Sequence, residues 1–313
     1  MVLDARSALI GIAETFSGSA KLDEPLASYA RAGIGGPADL LLVAKSRDEL
    51  VEAVRLVSDA DVPWRIYGGL TNILLPDSGL RGAVILNQAR GVTFDARLYR
   101  VRAESGAVVV RVAREAVRRG WGGLTWAVGL PGTVGGAVVN NAGAFGGDVA
   151  DTLHTAEIIS VDGEVQRVPV DWFDFRYRCS KLKGAGARWL VLDAVFQLKP
   201  RDPGHLNAKA AEYTVRRQRT QPPGLTLGST FKNPPGDYAG RLIEAAGLKG
   251  ARRGGITVST HHANFLINDG EGSAADFRAL IRHIQETVSR EFEVWLEPEI
   301  EILPEESREP VSR

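Results

Sequence analysis

Thirty-five glycines among 313 residues exceed the ordinary share, and they are gathered rather than scattered. Two stretches hold the sharpest concentrations: YGGLTN, Tyr67 to Asn72, at the end of an expected strand, and GLPGTVGGAVVNNAGAFGG, Gly129 to Gly147. Glycine lets a backbone turn with positive φ and approach a ligand closely. Successive exposed N–H groups then form a nest for an anion, and Thr71, Thr133 and the Asn140-Asn141 pair add side-chain donors. A pyrophosphate is the natural guest. The chain has no G-x-x-x-x-G-K-[ST] and no G-x-G-x-x-G after a strand, so neither a P-loop nor an ordinary Rossmann fingerprint accounts for the loops. One such loop alone reads as structural turns. Two, one of them nineteen residues long and amide-rich, favour a dinucleotide site.

The rest of the composition narrows the class. Lys+Arg and Asp+Glu are equal at 38 each, so no basic excess points to nucleic acid. Apolar runs such as DLLLVA and AVVVRVA fall far short of the ~18 residues of a membrane span. The N-terminal MVLDARSALIGIAETF carries acids early and lacks a clean apolar core with a cleavage site, unlike a signal peptide. A single cysteine, Cys179, excludes an intrachain disulfide and a cysteine-based zinc cage. The expectation is a cytoplasmic protein with no membrane, nucleic-acid or metal partner. Its length suits about two domains.

Periodicity predicts an α+β chain. SRDELVEAVRLVSDADVP reads as an amphipathic helix, with Ser46 and Glu49 as a capping box and Leu50, Val54 and Val57 on one face. WRIYGG, GAVILN, the alternating LYRVRAES and the long RWLVLDAVFQLK read as strands. AEIISVDGEVQRV reads as a hairpin whose Asp162-Gly163 pair supplies positive φ. AVVVRVAREAVRRGWGG is a helix ending at Gly120. LKPRDPGHLN, with two prolines and a glycine, marks the expected domain boundary. Beyond it follow a basic helix in NAKAAEYTVRRQRTQPP, the loop LGSTFKNP, and a helix in DYAGRLIEAAGLKG. Strand-loop-strand is expected for GITVSTHHANFLIN. SAADFRALIRHIQETVSREF is a helix with Ser273 and Asp276 as its capping box and Phe277, Leu280, Ile281, Ile284 and Val288 inward. EVWLEPEIEIL is expected to close the fold with a strand. The division expected is an N-terminal extension, 1–24, a domain over 25–200, a second over 205–303, and a disordered polar tail, 304–313.

The blocks GIGGPADLLL, YGGLTNILLPDSGLRGAVI, GLPGTVGGAVVNNAGAFGGDV, FRYRCSKLKG, GSTFKNP, LIEAAGLKGARRGG and HANFLIN occur in this order over roughly residues 25–303. Together they resemble the UDP-N-acetylenolpyruvoylglucosamine reductase family, the flavoenzymes that complete UDP-N-acetylmuramate for peptidoglycan. The resemblance implies an FAD domain of the vanillyl-alcohol-oxidase (PCMH) type and a smaller C-terminal substrate domain. It implies that NADPH reduces the flavin, which then reduces an enolpyruvyl double bond on a UDP-sugar. A monomer is expected. Cofactor contacts are expected from Tyr67, Gly68, Gly69, Leu70, Thr71 and Asn72. The second loop is expected to add Gly129, Pro131, Gly132, Thr133, Gly135 and Gly136, then Asn140, Ala142 and Gly143. Leu70 stands where the family usually has glycine, and Ala30 and Gly33 replace a threonine and a basic residue ahead of Gly35-Gly36. YGGLTN offers no histidine for a covalent link, so the FAD is expected to be non-covalent. Between Leu206 and Ser229 there is no room for the extra substrate-closing loop of one family form. Tyr213 falls on a helix, and the compact form is the closer match.

Reducing an enolpyruvyl ether needs a hydride at the β-carbon, stabilisation of the charge that develops on the α-carbon and carboxylate, and a proton for the α-carbon. An arginine fork suits the carboxylate. The resemblance places Arg178 and Glu299 as enolate stabilisers and Ser229 as the proton donor, with Lys232, Asn233 and His262 toward the substrate. Each has an ordinary structural reading. Arg178 has a neighbour, Arg176, and a lone arginine is usually a surface ion-pair partner. Loop serines are usually turn residues. Glu297 shares a strand face with Glu299 by period. His261 and His262, as neighbours on a strand, would point apart and lack a third metal ligand. Cys179 lacks a placeable histidine partner and reads as inert. The rival functions are a flavin oxidase of the same fold class acting on a sugar lactone, a serine hydrolase on Ser229 that lacks G-x-S-x-G, and a non-catalytic FAD or nucleotide-sugar binder.

Overall fold

The computed structural model describes residues 5–183 and 189–305. The chain forms two compact units, and neither is one continuous segment. The first comprises residues 1–22, 39–69 and 82–216, and the second comprises 23–38, 70–81 and 217–313. The chain passes between the two units at residues 22–23, 38–39, 69–70, 81–82 and 216–217. The proline-rich segment expected as the boundary instead starts a helix, α5, running Pro203–Thr220. Proline is welcome in a first helical turn, where its missing N–H has no partner to lose. The crossing lies later, between Arg216 and Arg217.

In the first unit, an antiparallel sheet has the order Val165–Pro169, Leu153–Ser160, Trp189–Gln197, Arg100–Glu104 and Val92–Asp95. Alternation in Arg100–Glu104 buries Val101 and Ala103 and exposes Arg102. The hairpin turn has positive φ only at Gly163 (82°), not at Asp162. The Gly163 N–H returns to the Ser160 carbonyl (3.0 Å), a type I turn followed by a left-handed glycine. Onto this sheet pack α3 (Val109–Arg118) and α4 (Val134–Val139), which bury Val112, Ala113, Ala116, Val117, Val134 and Val138.

A second sheet has the order Ser19–Pro25, Pro37–Ala44, Leu80–Asn87 and Trp64–Tyr67, and its last two strands are parallel. Its core is completed by α2 (Arg47–Asp59) and α1 (Ala5–Thr15). Leu9, Ile12 and Phe16 are buried there, so much of the expected N-terminal extension is core. Ser46 caps α2 by accepting the Glu49 N–H, as expected, while the Glu49 carboxylate accepts the N–H of Lys45 (2.7 Å), one residue short of a closed capping box.

The second unit is built on α7 (Ala274–Phe292), whose five expected inward residues are all buried. Its capping box between Ser273 and Asp276 is closed on both sides. Both oxygens of Asp77 also accept α7 N–H groups, from Ala274 (2.8 Å) and Ala275 (3.0 Å). Packed with it are α6 (Ala239–Ala245) and the sheet Arg252–Arg253, Ile256–Val258, Leu266–Asn268. The expected closing strand is reduced to Glu301–Ile302, parallel to Ile73–Leu74, plus one bridge between Phe231 and Pro298. Pro298 has no N–H to extend the ladder. Of the expected tail, Glu305 is held by Arg278 and by the N–H groups of Asp77 and Ser78. Residues 306–313 lie outside the described residues. Among the described residues no helix is long and apolar enough to cross a membrane.

Candidate active site

In the first unit the two glycine loops meet. A Cβ on Gly68 would lie 2.2 Å from Thr133 Oγ1 and 2.9 Å from its Cγ2, so only glycine admits this approach. Thr133 caps α4 by accepting the Gly136 N–H (3.4 Å). The donors are shared out differently from a simple nest. The N–H groups of Val134 and Gly135 go to the carbonyls of Ala107 (2.8 Å) and Ser105 (2.7 Å). Asn140 Nδ2 bonds the Gly136 carbonyl. Asn141 donates to Asp148 and to the Arg176 carbonyl while accepting the Ala150 N–H. These amides are occupied by the protein itself. Among the described residues, Gly68, Gly69, Gly132 and Thr133 keep N–H groups with no protein acceptor. In the second unit the same holds for Thr71 and Asn72. A diphosphate-bearing cofactor fits the first unit's donor set, on fewer amides than the sequence suggests.

Leu70 takes a left-handed φ of 47° and is buried. This is a conformation that favours glycine, adopted here at a cost of about 1–2 kcal/mol, against which the side-chain burial works. Gly33 also has positive φ (68°), and a Cβ there would lie 3.1 Å from Leu225 Cδ1, so a longer residue would be strained and crowded.

The two arginines of FRYRCS separate cleanly. The Arg176 and Cys179 backbones bond each other (3.0 and 3.1 Å), closing a tight turn with Arg178 at φ 55°. Arg176 is exposed and pairs with Asp174 (2.7 Å). Arg178 is half-buried and donates from Nη1 to the Gly143 carbonyl (3.0 Å), at the end of the second glycine loop. Asn141, through the Arg176 carbonyl, fastens the same loop to the same turn. Cys179 is half-buried, with its Sγ 3.7 Å from the Ser180 carbonyl.

In the second unit the GSTFKNP loop is clamped from both sides. Ser229 bridges Phe265, and the Thr230 N–H donates to the Asn264 carbonyl (2.8 Å). The buried Asn264 side chain accepts the Phe231 N–H (2.9 Å) and donates to the Phe231 carbonyl (2.8 Å). On the other side, Glu299 N–H donates to the Thr230 carbonyl (2.8 Å) and Lys232 N–H to the Glu297 carbonyl (2.9 Å). The Asn72 side chain donates to the Glu299 carbonyl (3.3 Å), and Glu301 N–H returns to the Asn72 carbonyl (2.9 Å). Glu299 is thus strung between Asn72 and the Ser229 loop. Glu297 is exposed and joined to the Lys232 ammonium, which distinguishes it from half-buried Glu299.

Asn233 Oδ1 accepts the Ala239 N–H at the start of α6 (3.1 Å), leaving its amide nitrogen for a ligand. His261 and His262 lie in the loop between two strands, not on a strand, and both N–H groups go to Ser259 Oγ. His262 Nδ1 accepts the Asn264 N–H (3.2 Å), so a ligand contact would use Nε2. Burial lowers the His262 pKa, and the charges of His261 and Lys249 push the same way.

Sequence reasoning passed over Asn264 and Asp77. The only sequence signal for Asn264 is an amide set between the apolar Ala263 and Phe265. Its partners lie 33 residues away.

Residues 38–169 match the family described as FAD binding domain, and residues 220–303 match the one described as UDP-N-acetylenolpyruvoylglucosamine reductase, C-terminal domain. The UDP-N-acetylenolpyruvoylglucosamine reductase of Rubrobacter xylanophilus is 44% identical over 289 residues, which is 92% of this chain and 96% of the relative. That of Streptococcus agalactiae is 39% identical over 287 residues, 91% and 94% of the two chains. The crystal structure of the reductase from Thermus caldophilus is similar with a TM-score of 0.78 at 34% identity. The match covers 91% of this chain and 98% of that one.

Proposed function

Since this chain belongs to the UDP-N-acetylenolpyruvoylglucosamine reductase family, we propose that it reduces the enolpyruvyl group of UDP-N-acetylglucosamine-enolpyruvate to give UDP-N-acetylmuramate for peptidoglycan. When bound, non-covalent FAD supplies the hydride, which comes from NADPH. The unpartnered N–H groups of Gly68, Gly69, Gly132 and Thr133 are suited to hold its diphosphate. Arg178, fixed through Gly143, turns its guanidinium to the substrate carboxylate and meets the negative charge that grows there. Ser229 holds the proton for the α-carbon on its Oγ. Glu299 polarises the same centre, and Lys232 and Asn233 orient the nucleotide-sugar. His262, neutral and bonded to Asn264, steadies the loop that carries Ser229.

The observation that supports this reading most is the threading of Glu299. Its carbonyl receives a hydrogen bond from Asn72 and its N–H donates to Thr230, next to Ser229.

The test is Ser229→Ala in anaerobic stopped flow, following flavin absorbance. Reduction by NADPH should proceed at the parent rate. Reoxidation by the enolpyruvyl substrate should slow by roughly 10²–10⁴-fold, the range of general acid catalysis. Ser229→Cys should recover part of that loss. Reoxidation at the parent rate in the Ala variant would assign Ser229 to the turn alone.

A further inference from the structure

The first unit carries a cavity of about 440 Å³ whose residues the proposed reaction does not use. Its walls are the Gly122–Trp126 segment, the Phe145–Gly147 turn with Thr152, and one face of α5. Two buried polar atoms on these walls have no partner among the described residues: Trp126 Nε1 and Thr152 Oγ1. Trp126 is 5% exposed. Its indole N–H can only donate, so it requires an acceptor, and leaving it unmet is costly. A Cβ on Gly147, which also lines the cavity, would lie 2.6 Å from Trp126 Cδ1, the atom bonded to Nε1.

The titratable groups around this donor are cationic in balance. Lys199, Arg201, His205 and Lys209 line the cavity, and among the described residues none has a carboxylate within ion-pair distance. The Arg201 stem is seated on Gly122, where a Cβ would come within 2.7 Å of Arg201 Cγ. Asp151 also lines the cavity, but its Oδ2 accepts the Asp148 N–H (3.0 Å). The ring faces are taken. Phe145 and Tyr213 stack at 4.2 Å and 7°, with Arg216 over Phe145 and Lys209 over Tyr213. A nucleobase finds no free aromatic face there, whereas an anion with several oxygens finds donors.

We propose that this cavity is a binding site for a diphosphate group, with Trp126 as the buried donor and Lys199, Arg201 and Lys209 as the cationic rim. The cavity volume exceeds what a single phosphate fills and lies within the ordinary range of small-ligand sites. The site is independent of the hydride chemistry and uses none of the residues assigned to it.

The experiment is calorimetric titration of the protein as purified with pyrophosphate alone, inorganic phosphate alone and ATP alone. One saturable pyrophosphate site is expected, bound more tightly than phosphate by about tenfold or more, since phosphate forgoes at least one charged hydrogen bond. Lys199→Ala with Arg201→Ala, both exposed and so harmless to folding, should weaken pyrophosphate by about tenfold or more. Trp126→Phe should weaken it severalfold, and Lys232→Ala should leave it unchanged. ATP binding more tightly than pyrophosphate would identify a nucleotide as the source of the group, and equal binding a free diphosphate; both support the site. No saturable binding at millimolar pyrophosphate would overturn the proposal. So would binding that Lys232→Ala abolishes while the Lys199/Arg201 variant retains it.

Discussion

Asn264 is the residue on which the geometry of the Ser229 loop most visibly depends. Truncation to Ala removes an acceptor 2.9 Å from the Phe231 N–H and a donor 2.8 Å from the Phe231 carbonyl. Both residues are almost wholly buried, Asn264 at 4% and Phe231 at 1%. The two backbone groups would be stranded away from water, at about 1–3 kcal/mol each. A water entering the vacated volume would recover part of that, so a loss of about 2–4 kcal/mol is expected. With a urea slope of about 1–3 kcal/mol per M, the midpoint should fall by about 0.7–4 M. Equilibrium urea unfolding followed by tryptophan fluorescence measures it.

Asn264→Asp sharpens the test. At pH 7 it keeps an acceptor for the N–H but turns a carboxylate oxygen toward the Phe231 carbonyl. Burial and that repulsion raise the folded-state pKa of the new carboxyl above its unfolded value. Protonation then restores a donor, so the variant should gain stability relative to the parent as pH falls from 7 to about 5. A loss below about 0.5 kcal/mol for Ala, or no pH dependence for Asp, would refute the clamp.

Gly68→Ala should cost most of the bound flavin, read as absorbance per chain after gel filtration, because its methyl collides with Thr133. Adding Thr133→Ala, which removes Oγ1 and Cγ2, should restore part of it despite a lost cap worth about 1 kcal/mol; no restoration would remove steric contact as the cause. Arg178→Ala should slow flavin reoxidation by substrate by roughly 2–4 kcal/mol at the transition state while sparing reduction by NADPH. Equal damage to both half-reactions would make Arg178 structural. Burial alone would raise the Glu305 pKa, but Arg278 and the N–H groups of Ser78 and Asp77 outweigh it and hold the carboxyl at about 2, against 4.5 unperturbed. Its contribution is present above pH 4.5 and lost as pH falls toward 2, so Glu305→Gln should flatten acid unfolding in that window. An unchanged acid profile would contradict the pairing.

The elements that depend on neighbours in sequence were legible without the fold. The 3.6-residue spacing of Phe277, Leu280, Ile281, Ile284 and Val288 and the Ser273/Asp276 pair define α7, because both the apolar stripe and the cap act within one helix. The glycine loops and the ordered motifs likewise carry the flavin and family reading in local chemistry. What the tertiary structure decided is how each of several like residues is held. Arg176 and Arg178 differ in sequence only by position, yet one pairs with Asp174 in solvent and the other is anchored to Gly143. Glu297 and Glu299 differ likewise, one taken by Lys232 and the other hung from Asn72, 227 residues away. The donors of Gly135 and Asn141 looked available because their acceptors, the carbonyls of Ser105 and Arg176, lie in other elements, whereas Asn140 is taken within its own helix by Gly136. A hydrogen bond fills a donor whatever the sequence separation, and periodicity carries no record of which distant carbonyl arrives.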